Sequence, residues 1–326
     1  MSTDWLDLRE RLNALLLLAE QEGSGLHGLH AAPVRLAAPV ALSWAELQAV
    51  QDQALQGLAQ DADEALFTLF QALTDVRLGY CASHALLSAL VCELTAARLG
   101  FGAQPRAWLF SAALLMNAGM CQAQDQMALQ PSRLTESQRR HIKEHPLRAA
   151  ALLTRMSNSD SAFMLAPELL DLVRWHHEPH ALAALPHNLL CRQILRHADS
   201  CVAKMAPRQT RLAMSALGGL QTIFLADAPE QAHLAASMAA ALGFYPPGTY
   251  VQLVNGERAV VLARGPRPSQ AYLLSICNAA GRALPHYIYH SAEASAHSIR
   301  APLNPEQITH PLRLDEVARL RLLHLS

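Results

Sequence analysis

From about residue 75 to residue 243 the chain runs through one apolar, helix-period segment after another, and then it stops at Pro246, Pro247 and Gly248. Proline lacks a donor and glycine adopts any backbone, so this run ends the helices. Ala and Leu dominate: hydrophobic residues make up 51% of the chain, aromatic ones 5% and charged ones 16%. That balance makes helix the expected element. His84, Leu87, Val91 and Leu94 share one helical face ahead of Gly100, and another helix is expected over residues 167 to 177, from Pro167 to a break at Pro179. Beyond the Pro-Pro-Gly stop, two β-rich runs flank Asn255-Gly256, a hairpin signal. The expected fold is mainly α in three segments. A helical N-terminal region covers 1–74, with a Gly/His/Ala/Pro-rich break and a new helix start at Ser43. A helical domain covers 75–245, and a small β-containing C-terminal subdomain covers 246–326.

Charge and cysteine content exclude several roles. Among 326 residues, 26 basic side chains face 27 acidic ones, with no dense Lys/Arg run, so nucleic acid is not an expected partner. The cysteines (Cys81, Cys92, Cys121, Cys191, Cys201 and Cys277) show no C-x-x-C spacing, which points to reduced thiols and a cytoplasmic location. Asp4, Asp7, Arg9 and Glu10 interrupt the start before any apolar run, so no secretory signal is expected. The longest uncharged window, Ala107 to Gln124, contains Asn and Gln and reads as a core helix, not a membrane span.

That window holds the residue that fits least well. Asn117 stands in what reads as the middle of an apolar helix, where an amide without partners costs about 1–3 kcal/mol. Histidines gather at four other places: YCASH (Tyr80 to His84), EHP (Glu144 to Pro146), WHHE (Trp175 to Glu178) and RHADS (Arg196 to Ser200). Each has an ordinary reading by itself. Tyr80 and Trp175 serve as core aromatics, Met116 as core packing, Asp199 as a helix cap or ion-pair partner, and Arg208 and Arg211 as a solvated face.

Order and spacing give these places a second reading. Over roughly residues 75 to 265 the chain resembles the HD-GYP family of cyclic di-GMP phosphodiesterases, part of the HD superfamily. Tyr80 with His84 matches its Tyr-x-x-x-His segment, and His145-Pro146 its His-Pro. His176-His177-Glu178 matches its His-His-Glu, Asp199 its later Asp, and Arg208 with Arg211 its Arg-x-x-Arg. Met116-Asn117 stands where the family has His-Asp, Met120 where its lysine follows, and Ala184-Leu185-Pro186 in place of Gly-Tyr-Pro.

The resemblance implies an HD-type helical bundle with a degenerate active site. In the family the Asp bridges two metal ions and the preceding His completes the first ion's shell. A thioether and a neutral amide do neither, so catalysis is lost at Met116, Asn117 and Met120. His84 and Asp199 would remain of the first metal site, and His145, His176 and His177 of the second. The expected cofactor is none, or a single transition metal (Fe, Mn or Zn) on those three histidines. Arg208, Arg211 and Pro186 are the nucleotide-binding candidates, and Asn117 is expected to bond to a surviving histidine. The implied function is a silent signalling or regulatory protein that acts by contacts with another signalling protein, with cyclic dinucleotide binding left open. The alternatives are a weak metal-dependent phosphohydrolase using the three histidines, and a ligand-free scaffold.

Overall fold

A computed structural model describes residues 3–24, 43–75, 79–159, 163–207, 213–215, 217–219, 221–222, 232–292 and 298–325. The described helices are α1 (Trp5–Ser24), α2 (Trp44–Gln60), α3 (Ala62–Thr74), α4 (Tyr80–Arg98), α5 (Ala103–Leu115), α6 (Cys121–Leu129), α7 (Glu136–Ser159), α8 (Pro167–Trp175), α9 (Leu189–Met205), α10 (Ala232–Leu242) and α11 (Leu314–Leu325). Five strands, β1 (Tyr250–Leu253), β2 (Arg258–Arg264), β3 (Ala271–Cys277), β4 (Ala283–His290) and β5 (Ile299–Leu303), make one antiparallel sheet in the order β4-β3-β2-β1-β5. The protein is mainly α.

The chain divides into two compact units, Met1–Gln60 with Val76–Asp199 and Asp61–Asp75 with Ser200–Ser326. This differs from the three consecutive segments read from the sequence, because α3 groups with the sheet and not with the helices on either side of it.

The first unit is built around α4. Its start has a glycine, Gly79, with no side chain to offer as a cap; instead Asp125 of α6 accepts a hydrogen bond from the Cys81 backbone N–H at 2.7 Å. Residues on every side of α4 are buried, and α1, α5 and α6 pack against it. By length and composition α4 could cross a membrane, but 83% of its apolar window is buried inside the structure. A helix apolar all round is the central element of such a core. Cutting Leu86 or Leu90 to Ala in this position costs about 2–5 kcal/mol. The described cysteines are all unpaired and buried.

In the second unit the strands alternate between two buried faces. Val260, Leu262 and Leu274 pack with Phe67 of α3 and Val317 of α11, while Ala259, Val261 and Leu273 pack with Val251 and Leu253. Asp61 caps α3 by accepting from the Asp63 and Glu64 backbone N–H groups, and the same carboxylate takes both oxygens to Arg321 of α11, at 2.6 and 2.7 Å. Asn255-Gly256 does form the β1–β2 turn. Only Gly256 has positive φ, +87°, and its N–H bonds the Leu253 carbonyl, so the loop has three residues and ends in a left-handed glycine.

Candidate metal centre

A proline and a helix end decide how two of the histidines are held. His145 sits inside α7 immediately before Pro146. Pro146 has no N–H to give to the carbonyl four residues back, so the Ile142 oxygen is left without its helical donor. His145 Nδ1 bonds that oxygen. His176 follows the last residue of α8, which begins at Pro167, and its Nδ1 lies 2.9 Å from the Val173 oxygen, one of the carbonyls a helix end leaves over. A carbonyl only accepts, so both imidazoles carry their hydrogen on Nδ1 and present a lone pair at Nε2.

Those two Nε2 atoms face each other at 3.2 Å, with both side chains buried. Burial pushes the His145 pKa down to about 4 and the His176 pKa well below its ordinary value, so neither ring holds a second proton near neutral pH. Two acceptors at this separation repel unless an electrophile lies between them. His177 completes the group: the ligand atoms of His145, His176 and His177 all lie within 4.8 Å of one another. Nitrogens bound at about 2.0–2.1 Å to one tetrahedral ion sit roughly 3.3–3.4 Å apart. The arrangement therefore fits one metal ion, and three imidazoles suit a first-row transition metal better than Mg or Ca.

His84 and Asp199 adjoin this group. His84 is fully buried on α4 and places Nε2 2.8 Å from Asp199 Oδ1, while its Nδ1 is 3.4 Å from the Tyr80 hydroxyl. The other Asp199 oxygen is 3.9 Å from His177 Nδ1. Burial works to raise the Asp199 pKa, but the His84 bond and the neighbouring imidazoles outweigh it and hold the carboxyl well below its usual range. The structure thus brings His84, His145, His176, His177 and Asp199 into one connected cluster.

Asn117 departs from its expected setting. Helix α5 ends at Leu115, and Met116 to Gly119 form a turn before α6, so Asn117 is not in mid-helix. Its side chain is buried, its Nδ2 has no hydrogen-bond partner among the described residues, and no bond joins it to a histidine. The turn is pressed onto α7: a Cβ on Gly119 would meet Arg148 Cβ at 2.7 Å and the Ala149 nitrogen at 3.1 Å. Met116 and Met120 are both buried apolar side chains in this stretch. Pro186 is exposed at the start of a short 3-10 turn, Pro186–Asn188, and Arg208 and Arg211 lie outside the described residues.

Two features escaped the sequence reading. His141, one turn before His145, bonds the Gly119 backbone, and its Nε2 is buried without a partner among the described residues. Its i, i+4 spacing from His145 was the available signal. The second is the buried pair Asp171 and Arg192, joined at 2.5 Å. No local pattern announces it. No family model, curated protein or solved structure matches this chain.

Proposed function

We propose that this chain is an HD-GYP-like regulatory protein whose helical unit binds one transition-metal ion through His145, His176 and His177 and does not hydrolyse cyclic dinucleotides. The observation that carries the metal is the 3.2 Å approach of two Nε2 lone pairs whose Nδ1 hydrogens are already committed to carbonyls. The order of the motifs along the chain supports the HD-GYP likeness.

Silence follows from what stands at Met116 and Asn117. Hydrolysis with two ions needs a negative bridging ligand that lets divalent cations sit close together and share a hydroxide. A neutral amide carries no such charge. The protein's role is then regulation through contacts with a signalling partner in the cytoplasm, with a cyclic dinucleotide as the ligand to test.

One observation favours a second reading, a phosphohydrolase working with a single ion. The His177 side chain is 43% exposed, so the centre has an open side from which a phosphate ester could approach. A His-bound ion with a free position activates water.

Elemental analysis of protein purified without chelators decides the metal, with one equivalent of iron, manganese or zinc expected. Incubation with cyclic di-GMP and added iron or manganese should give no linearised product. Metal-dependent turnover lost in His176→Ala would establish the second reading. Protein with neither metal nor nucleotide affinity would be the ligand-free scaffold.

A further inference from the structure

We infer that Tyr80, His84 and Asp199 form a positioning chain that orients His177 toward the metal, in place of a ligand set for a second ion. The inference rests on the single-metal reading above. His84 is fully buried, and its Nε2 is 2.8 Å from a carboxylate oxygen. An ionised carboxylate only accepts, so His84 Nε2 carries the hydrogen. Its remaining lone pair, on Nδ1, faces the Tyr80 hydroxyl at 3.4 Å. Neither nitrogen is left to bind an ion.

Asp199 then has its second oxygen for His177. That oxygen lies 3.9 Å from His177 Nδ1, longer than a hydrogen bond, so the carboxylate faces the Nδ1 edge of the ring and a small ring rotation closes the bond as Nε2 takes the metal. The same rule governs the other two rings, whose Nδ1 atoms face the Ile142 and Val173 carbonyls. Two imidazoles are thus held through Nδ1 by carbonyls and the third has a carboxylate facing its Nδ1, an arrangement that, once that contact closes, fixes the tautomer and raises ligand basicity. Asp199 also brings negative charge next to a centre whose three ligands are neutral. With Met116 and Asn117 unable to complete a second shell, His84 and Asp199 serve the three-histidine site.

The test is a cobalt(II) titration of metal-stripped full-length protein, read by visible absorption and by metal bound per chain, for wild type, Asp199→Asn, His84→Gln and His84→Ala. Wild type should take one ion. Asp199→Asn should also take one, with affinity lower by about 10–100-fold and an altered cobalt spectrum. His84→Gln keeps an amide N–H for Asp199 and should stay near wild type, whereas His84→Ala should weaken binding. This Gln/Ala contrast carries the test if Asp199→Asn does not fold. Two ions in wild type, with one lost in His84→Gln or Asp199→Asn, would make these residues ligands and overturn the inference. So would unchanged affinity in Asp199→Asn. A wild type that binds no cobalt would instead overturn the metal centre itself.

Discussion

Arg192 places Nη1 2.5 Å from Asp171 Oδ2, and both side chains are buried. The same carboxylate accepts from the Leu185 backbone N–H at 2.7 Å and from Asn188 Nδ2 at 3.1 Å, while Arg192 donates to the Pro179 and Leu185 carbonyls. One ion pair therefore pins the segment that follows His176-His177 onto α8 and α9. Truncating Asp171 to Ala leaves a buried guanidinium without its counter-charge, and the expected loss is about 3–5 kcal/mol in urea unfolding. The double variant Asp171→Leu/Arg192→Met should lose less than the sum of the two single changes. A simple sum would mean that the two side chains act independently.

Pro146→Ala separates helix stability from metal binding. Alanine restores the N–H that Pro146 lacks, so α7 should gain up to about 3 kcal/mol from an uninterrupted ladder. The new N–H competes with His145 Nδ1 for the Ile142 carbonyl and frees the His145 ring to turn. Higher thermal stability of the metal-free protein should accompany weaker metal binding in calorimetric titration. Unchanged affinity would remove proline from the account of the site.

Metal should stabilise the fold by mass action. At a free concentration about a hundred times the dissociation constant, the gain is about 2.7 kcal/mol, seen as a higher melting temperature that a chelator reverses. His176→Ala should abolish the increment. A melting temperature indifferent to metal and chelator would count against the centre.

Stability of the metal-free protein should fall in mild acid. The unfolded chain protonates His145 and His176 near their ordinary value of 6.5, whereas in the folded chain burial holds both rings neutral well below it, His145 until about pH 4. Stability is therefore complete above about pH 6.5 and declines as pH drops from there, by up to about tenfold in the folding constant per pH unit for each histidine. Denaturant midpoints between pH 7 and pH 4 measure this, and replacing His145 with Gln should flatten the profile.

Met116→His and Asn117→Asp together should raise the metal content above that of wild type, and by more than the two single changes combined. Ligands of one cluster are not additive. Asn117→Asp by itself should destabilise, since it buries a carboxylate where even the amide nitrogen has no partner among the described residues. Metal per chain and melting curves of all four proteins check both statements. A folded double variant with wild-type metal content would show that the new His and Asp do not draw His84 and Asp199 away from the three-histidine site.

The sequence by itself determined what depends on neighbours within a few residues. The succession of helices, the start at Pro167 and the Asn255-Gly256 turn follow from backbone chemistry read locally, whereas the last helix before the sheet stops at Leu242, ahead of Pro246-Pro247-Gly248, with Gly243 at φ +77° just past its end. So does the tautomer of His145, since proline and the carbonyl it leaves free lie within one turn of α7. Only the tertiary structure decided the rest. Asp199 meets His84 across 115 positions, Asp171 and Arg192 recognise each other from different helices, and α3 joins the sheet from the far end of the chain. Asn117 was misplaced for a related reason. An apolar run looks alike whether it continues as a helix or turns, and here it turns where close packing of Gly119 on α7 requires it. Local periodicity carries no information about which distant group fills a contact, because that choice is made by packing after the elements form.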